Sequence, residues 1–290
     1  MKQLFFPLII LLVGFNLYSQ ENDVLDGLSK EYYENGQLKN EGIYEGGKRV
    51  GLWEFYHENG QLSFEGSYKD GKTNGLWKSY HENGQLKDEG SWKNGKEDGF
   101  SKTYYHENGQ LFIEGSYKDG KQYGLFKAYH KNGQLRYQGN TNAGKPDGLW
   151  KHYHENGKLE REGSWKEGKQ DGLWKYYHEN GQLKSEGIFI NGTLGGLAKY
   201  YHENGQLKSE ENSKDGKPDG LSKEYYENGQ LKNEVGWKEG KQDGLYKAYY
   251  INGQLDREGI FINGTLGGLW KYYHENGQLQ AEASWKEGKQ

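Results

Sequence analysis

Eight of the nine histidines recur at one position: His57, His81, His106, His130, His154, His178, His202 and His274. Such a ladder raises the question of metal binding. On a sheet, positions one repeat apart lie two strands apart, or about 9.6 Å. Zinc needs its ligands within about 2.1 Å of a single ion, so successive histidines cannot share a metal without severe coiling. His152 and His154 are a closer pair, and two ligands alone make a weak site. The histidines therefore read as residues beside a hairpin turn, and no metal or other cofactor is expected. Carboxylate pairs such as Glu82 and Glu89 recur in most units. An acid–base pair needs one environment that separates two pKa values, which a periodic surface does not offer. No Ser/His/Asp arrangement stands out. The Gly71-Lys72 and Gly95-Lys96 pairs lack the rest of a phosphate loop and open no helix. Asn191 and Asn263 begin formal glycosylation sequons inside turns that elsewhere read Gly-Lys. The chain reads as a non-enzyme.

Trp53, Trp77, Trp150, Trp174 and Trp270 also share one position. If their face is open, the row could stack on sugar rings or grip a protein. The rival outcome is that coiling buries the row, or that the rings only stiffen cross-strand contacts. Ser29, Ser101, Ala198 and Ser222 interrupt it.

These positions belong to an internal repeat. Asn-Gly recurs with its glycine at Gly36, Gly60, Gly84, Gly109, Gly133, Gly157, Gly181, Gly205, Gly229, Gly253 and Gly277. Each step is 24 residues except the 25 between Gly84 and Gly109. In the unit starting at Gly75, Leu76, Lys78 and Tyr80 alternate with Trp77, Ser79 and His81, the period of a strand. Glu82-Asn83-Gly84 then marks a turn, a second extended run follows, and Asn94-Gly95 closes it. Each unit predicts a β-hairpin. A two-residue Asn-Gly loop is the commonest choice for such a turn, but it scatters the apolar residues over both faces. A three-residue loop pairs Tyr80 with Leu86 and Leu76 with Gly90. It places Gly84 in the left-handed position of a bulge. That register gives a packing face of Leu52, Tyr56, Leu62, Leu76, Tyr80 and Leu86, with a second aromatic such as Tyr68 or Trp92. Gly66, Gly90 and Gly163 then lie opposite leucines. The other face carries Trp77, His81, Gln85, Lys87 and Glu89.

The expected fold is all-β: an elongated, twisted antiparallel meander of eleven 24-residue hairpins over residues 26–290. About 22 short strands would extend roughly 100 Å. The recurring Tyr-His-Glu-Asn-Gly-Gln-Leu and Gly-Lys-x-Asp-Gly-Leu-Trp pieces resemble MORN repeats, and more closely the bacterial MORN-variant family. The resemblance covers essentially all of residues 26–290. It implies a β-hairpin array with a binding role. Bacterial members are often catalogued as antitoxins of toxin–antitoxin pairs, so the resemblance also suggests an antitoxin or immunity-type binder.

The first 19 residues have the build of a secretory signal peptide: Lys2, the apolar run Leu4–Tyr18, then the small Ser19. About fifteen apolar residues are short of the about twenty that span a bilayer. Residues 20–25 form a short linker, and the expected location is periplasmic, cell-surface or secreted. There is no cysteine, which excludes disulfides and thiolate metal sites. Removing the leader takes one of the 38 basic residues and none of the 42 acidic ones, leaving a formal charge of −5 in place of −4. That balance gives no field for nucleic acid or anionic lipid. The composition and repeat together predict a protein–protein interaction scaffold. The alternatives are a glycan or cell-envelope binder using the tryptophan row, and a membrane-associated role that the charge disfavours.

Irregularities are informative. Asp26–Glu41 recurs letter for letter as Asp219–Glu234, and Glu186–Leu207 recurs as Glu258–Leu279 with one change, Ala198 to Trp270. The 25-residue unit is expected to carry its extra residue before Tyr105, as a bulge. Thr141 and Ser213 replace the second aromatic and mark expected weak points. The last strand, Gln278–Trp285, is expected to be an exposed edge guarded by charge.

Overall fold

The computed structural model describes residues 26–286, 288 and 289. The leader of residues 1–19 and the linker of residues 20–25 lie outside the described residues. The chain forms one 24-stranded antiparallel sheet in which strands pair in sequence order. Its ends do not meet among the described residues: β1 (Gly27–Tyr32) pairs with β2 (Leu38–Glu45), and β24 (Leu279–Trp285) with β23 (Thr265–Tyr273). Two more strands appear than eleven hairpins require. The first strands of the fifth and ninth units each break in two, at Tyr123 and Asp219.

Two kinds of turn alternate. In the third unit His81 N–H donates to Gln85 O (2.9 Å) and Gly84 N–H to His81 O (2.8 Å), enclosing the three-residue loop Glu82-Asn83-Gly84. All eleven of these turn glycines have left-handed backbone, with φ from +65° at Gly109 to +90° at Gly181. The turn between units is a two-residue loop with both residues left-handed, as at Asn94 (φ +51°) and Gly95 (φ +80°). That is a type I′ turn, whose twist matches the flanking strands.

The faces are the reverse of the sequence expectation. Tyr80 does pair with Leu86, but the register then shifts, so Ser79 faces Asp88, Trp77 faces Gly90 and Leu76 faces Ser91. Lys87 is an extra residue on one side of the ladder. A one-residue slip moves a whole strand to the other face, and this slip recurs in the other hairpins, for example at Phe55/Tyr56 and Tyr176/Tyr177. Trp53 and Trp174 are each 1% exposed, whereas Leu52 and Leu173 are 55% and 49% exposed. The second aromatics also join the tryptophans: Trp174 packs edge-on to Trp165 (5.4 Å) and to Phe189 (6.5 Å). The core of this single-layer sheet is therefore its tryptophan face.

A second device seats the tryptophans. Between β13 (Leu159–Lys166) and β14 (Lys169–Tyr177), Glu162 faces Lys175 and Ser164 faces Asp171. Gly163 alone thus opposes Gly172, Leu173 and Trp174. Gly172 takes φ +85°, the chain bulges, Leu173 is pushed to the surface and the Trp174 indole lies flat on Gly163. A Cβ at Gly163 would fall 2.2 Å from Trp174 Cδ2. The same close approach joins Gly42 to Trp53, Gly115 to Phe126, Gly139 to Trp150 and Gly259 to Trp270. These glycines lie opposite rings, not opposite leucines.

Candidate functional site

The five tryptophans predicted as a binding row do share one face, but Trp53, Trp150, Trp174 and Trp270 are buried there and Trp77 is half-buried. The indole N–H groups of the four buried ones are spent inside the protein. Trp53 donates to Ile43 O (3.2 Å), Trp150 to Asn140 O (2.9 Å), Trp174 to Ser164 O (3.1 Å) and Trp270 to Ile260 O (3.2 Å). Each acceptor is the carbonyl next to the glycine, at the bulge where the ladder lapses. The row is a structural element whose rings are covered by neighbouring aromatics. Of the five, Trp77 alone buries its N–H without a partner, as do Trp92, Trp165 and Trp285 among the second aromatics.

The histidines also serve the array. His57 Nε2 lies 3.0 Å from Tyr80 O and His130 Nε2 2.9 Å from Tyr153 O, so each imidazole caps a carbonyl of the next unit. Asn59 Nδ2 reaches Glu82 O (2.7 Å) in the same way. Tyr105, through its hydroxyl on Tyr129 O (2.8 Å), takes the histidine's place in the fourth unit. The extra residue of that unit is therefore His106, inside the hairpin turn, and not a bulge before Tyr105. Gly109 N–H there bonds Tyr105 O across a loop one residue longer. His106 lies beside His81, ring centroids 4.4 Å apart, closer than strand spacing implies. His81 Nε2 is buried without a partner. Burial, then the neighbouring His106, push the His81 imidazole below its ordinary pKa. Among the described residues no group of three or more His, Asp or Glu is placed to hold a metal ion.

The opposite face presents two parallel features. The first is a polar ladder. Tyr80 Oη donates to Glu65 (2.7 Å), Tyr104 to Glu89 (2.7 Å) and Tyr129 to Glu114 (2.7 Å), and Lys78, Lys102 and Lys127 approach the same carboxylates at 3.4, 3.8 and 3.7 Å. Burial, then the bonded carboxylate, push the phenols of Tyr80, Tyr104, Tyr129, Tyr177 and Tyr201 up to about 12. The second feature is apolar. Leu28, Leu52, Leu76, Phe100, Leu125, Leu149, Leu173, Leu197, Leu221, Leu245 and Leu269 occupy the position after the bulge glycine, one per unit, and are 40–69% exposed. Ile43 and Ile188, across the strand pair from Leu28 and Leu173, are also exposed. The sequence expectation put this row in the core. The signal that locates it outside is the Gly-Leu-Trp order: a bulge glycine, the residue it expels, and the ring it seats.

The family model described as "MORN repeat variant" matches eleven consecutive segments, from residues 25–45 through 266–287. The chain belongs to the MORN repeat variant family. No curated protein matches its sequence. Solved structures give only distant likenesses. The TCP10 domain of Danio rerio CPAP, solved with a STIL peptide, is 14% identical, with 89% of this chain and 99% of that one covered at a TM-score of 0.27. A Photorhabdus luminescens Tc holotoxin pore structure is 14% identical over 89% of this chain, at a TM-score of 0.20, and this chain spans 16% of that one. A porin-like protein from Bacteroides uniformis is 10% identical, covering 80% and 92% of the two chains at a TM-score of 0.19. At these scores the likenesses carry no argument about function. In this MORN-variant chain most of the repeat positions that looked chemical, His and Trp, serve packing between units, and the leucine row is exposed in every unit.

Proposed function

We propose that this MORN-variant protein is a non-enzymatic scaffold that binds a protein partner along its leucine face, in the cell envelope or outside the cell. The observation that carries the reading is the unbroken row of eleven exposed apolar side chains, at least one in every unit. Single exposed leucines carry no meaning; here they recur at one position of every unit, alternating across the hairpins with small or polar residues such as Ser67, Ser91 and Ser164 and, in three units, with Ile43, Ile188 or Ile260. Here the row runs the length of the array beside a ladder of Tyr, Glu and Lys. Apolar centre and polar flank together are the build of a protein interface. The periodicity suits a multivalent partner engaged by several units at once.

Export rests on the apolar leader ahead of Ser19. Mass spectrometry of the fractionated protein tests it: a chain beginning at Gln20 outside the cytoplasm supports export, and an intact Met1 in the cytoplasm refutes it. An antitoxin or immunity role would be one form of the scaffold reading, resting on family likeness alone.

The binding test is capture of partners from envelope extract by the wild type and by Leu125→Glu/Leu149→Glu/Leu173→Glu. These side chains are exposed, so the variant is expected to fold with unchanged far-UV circular dichroism and to lose saturable protein capture. Capture that survives all three charges would refute the leucine face. Retention of polysaccharide in place of protein would favour a glycan binder.

A further inference from the structure

The tryptophan face is not closed along its whole length. In the sequence of ring-on-glycine pairs, Trp174 over Gly163 is followed by Ala198 over Gly187; in the next, Glu211, which pairs with Ala198 across its own hairpin, stands in the glycine's place, at the bulge between Pro218 and Lys223 where Ser222 replaces the ring. Two successive rings are lost, and at the second pair the glycine is lost as well. Ser213 replaces the second aromatic of the same unit. The result is a cleft of about 700 Å³ whose lining includes Tyr200, Glu211, Ser222, Asn233, Trp237 and Tyr246. Ligand sites commonly have about this volume, with aromatic walls and a few placed polar groups.

The charges of the cleft are unequal in their commitments. Glu224 is held by Lys232 (2.8 Å) and by Asn233 (2.7 Å). Lys223 faces Glu210 at 3.9 Å on the other side of the sheet. Lys208 is exposed at the rim. Glu211 is half-buried and has no hydrogen-bond or ion-pair partner among the described residues. It stands close to the Tyr200 ring, whose phenol is pushed up by burial and then by the charge of Glu211. An uncommitted carboxylate therefore lines the same cleft as Tyr200, Trp237 and Tyr246, at a place from which the repeat has withdrawn its own rings.

We propose that this cleft, on the face opposite the leucine row, receives an arginine side chain from a segment of the protein partner that reaches round the single-layer sheet, stacked on Trp237 or Tyr246 and ion-paired to Glu211. A guanidinium is planar, weakly hydrated and forked, so it can stack on an aromatic ring while it bonds a carboxylate with two N–H groups. An ammonium does the first poorly and the second not at all. The array already seats one guanidinium on this face: Arg49 Cζ lies 4.6 Å from the Trp53 ring centroid, 5.2 Å from Phe55 and 5.7 Å from Tyr68. The cleft offers a similar aromatic setting with a carboxylate added and no arginine in its lining.

The inference rests on the protein-scaffold reading, and the two fail separately. The probe is acetyl-Gly-Arg-Gly-amide, titrated into the full chain with 15N-labelled tryptophan while the Trp237 indole N–H signal is followed, assigned with Trp237→Phe. The expected result is a saturable shift, weakened about tenfold or more by Glu211→Gln or by lysine in place of arginine. Ser222→Trp/Glu211→Gly rebuilds the repeat's own ring-on-glycine pair; it is expected to melt higher than wild type and to abolish the shift. Equal shifts with a glutamine peptide, a shift that persists in the rebuilt variant, or saturation by cellohexaose in place of the arginine peptide would overturn the assignment. If the peptide fails while capture from envelope extract survives in the rebuilt variant, the cleft is refuted and the scaffold stands. If the peptide binds and capture is lost both when the leucine face is charged and in the rebuilt variant, both stand; capture that survives in the rebuilt variant overturns the partner's arginine even if the peptide binds.

Discussion

Replacing Gly163 by alanine adds one methyl group, and the structure says where it goes: 2.2 Å from Cδ2 and 2.4 Å from Cε2 of Trp174. Real Cβ contacts do not come that close, and both atoms belong to a rigid ring, so the indole must leave its seat. Trp174 is 1% exposed, packs against Trp165 and Phe189, and bonds Ser164 O at 3.1 Å. Losing a buried Trp from its site costs about 3–5 kcal/mol, and Gly163→Ala should approach that range. The diagnostic is a double-mutant cycle with Trp174→Ala. Once the ring is gone, the three atoms nearest that methyl are gone with it, and alanine fits a strand better than glycine. Its effect should fall to zero or reverse to a gain of about 0.5–1 kcal/mol. The predicted coupling is therefore about 3 kcal/mol or more, at the upper end for residues in contact. Urea unfolding followed by far-UV circular dichroism reads it. Gly187→Ala is the internal control, because the nearest atoms it meets are the flexible Leu194 tip at 2.8 Å and Ala198 Cβ at 3.5 Å, with no ring among them. Additive effects at 163 and 174, or an equal cost at 187, would refute the ring-on-glycine account.

Three further outcomes follow from the same geometry. His152 is pushed down to about 4 by burial, and secondarily by Arg161. A folded-state pKa below the unfolded value means the unfolded chain binds the proton first, so stability is full above about 6.5 and is lost as pH falls toward about 4. His152→Gln should flatten part of the acid-side decline in melting temperature, and an unchanged profile would show that His152 does not contribute. The Glu-bonded tyrosines have raised pKa values, so the folded state favours the neutral phenol. Stability should hold below about 10 and decline as pH rises toward about 12; absorbance at 295 nm should resolve a phenolate step near 12 that Glu65→Gln reduces. Deleting His106 should return a three-residue turn to the fourth unit and let His81 reach the Tyr104 carbonyl. A buried unsatisfied polar atom costs about 1–3 kcal/mol, so the deletion variant should melt higher than wild type, and a lower melting temperature would count against the assignment of the insertion.

The repeat, the hairpins and the three-residue turn were legible because they are written in short-range chemistry. Asn-Gly at a fixed step needs a left-handed glycine whatever surrounds it, and Tyr80 opposite Leu86 follows from the loop length. What did not transmit was the face. Carried outward from that loop, perfect alternation pairs Leu76 with Gly90, but Lys87 is an unpaired residue and moves the pairing to Trp77. No local preference of Lys87 signals this. The second hidden device is the Gly172-Leu173 bulge, whose glycine resembles an ordinary turn residue in the sequence. Leucine is also the residue type expected inside, which reinforced the wrong assignment. The glycines opposite the rings did carry the answer: a residue with no side chain in mid-strand makes room for something large, and the large residue was tryptophan. The cleft was legible only in part. Ala198 and Ser222 stood out as interruptions, whereas the meaning of Glu211 depended on knowing that it pairs with Ala198 and stands at the bulge that Ser222 leaves without a ring.

Hydroxyl-radical footprinting of the full-length protein, read residue by residue by mass spectrometry, tests the assignment of the two faces most directly. Trp53 and Trp174 should be protected, and Leu52, Leu125, Leu149 and Leu173 should be oxidised, despite the far greater intrinsic reactivity of indole. Rapid oxidation of Trp53 and Trp174 with leucines protected would restore the opposite facing of the sheet and remove the leucine row as the binding surface.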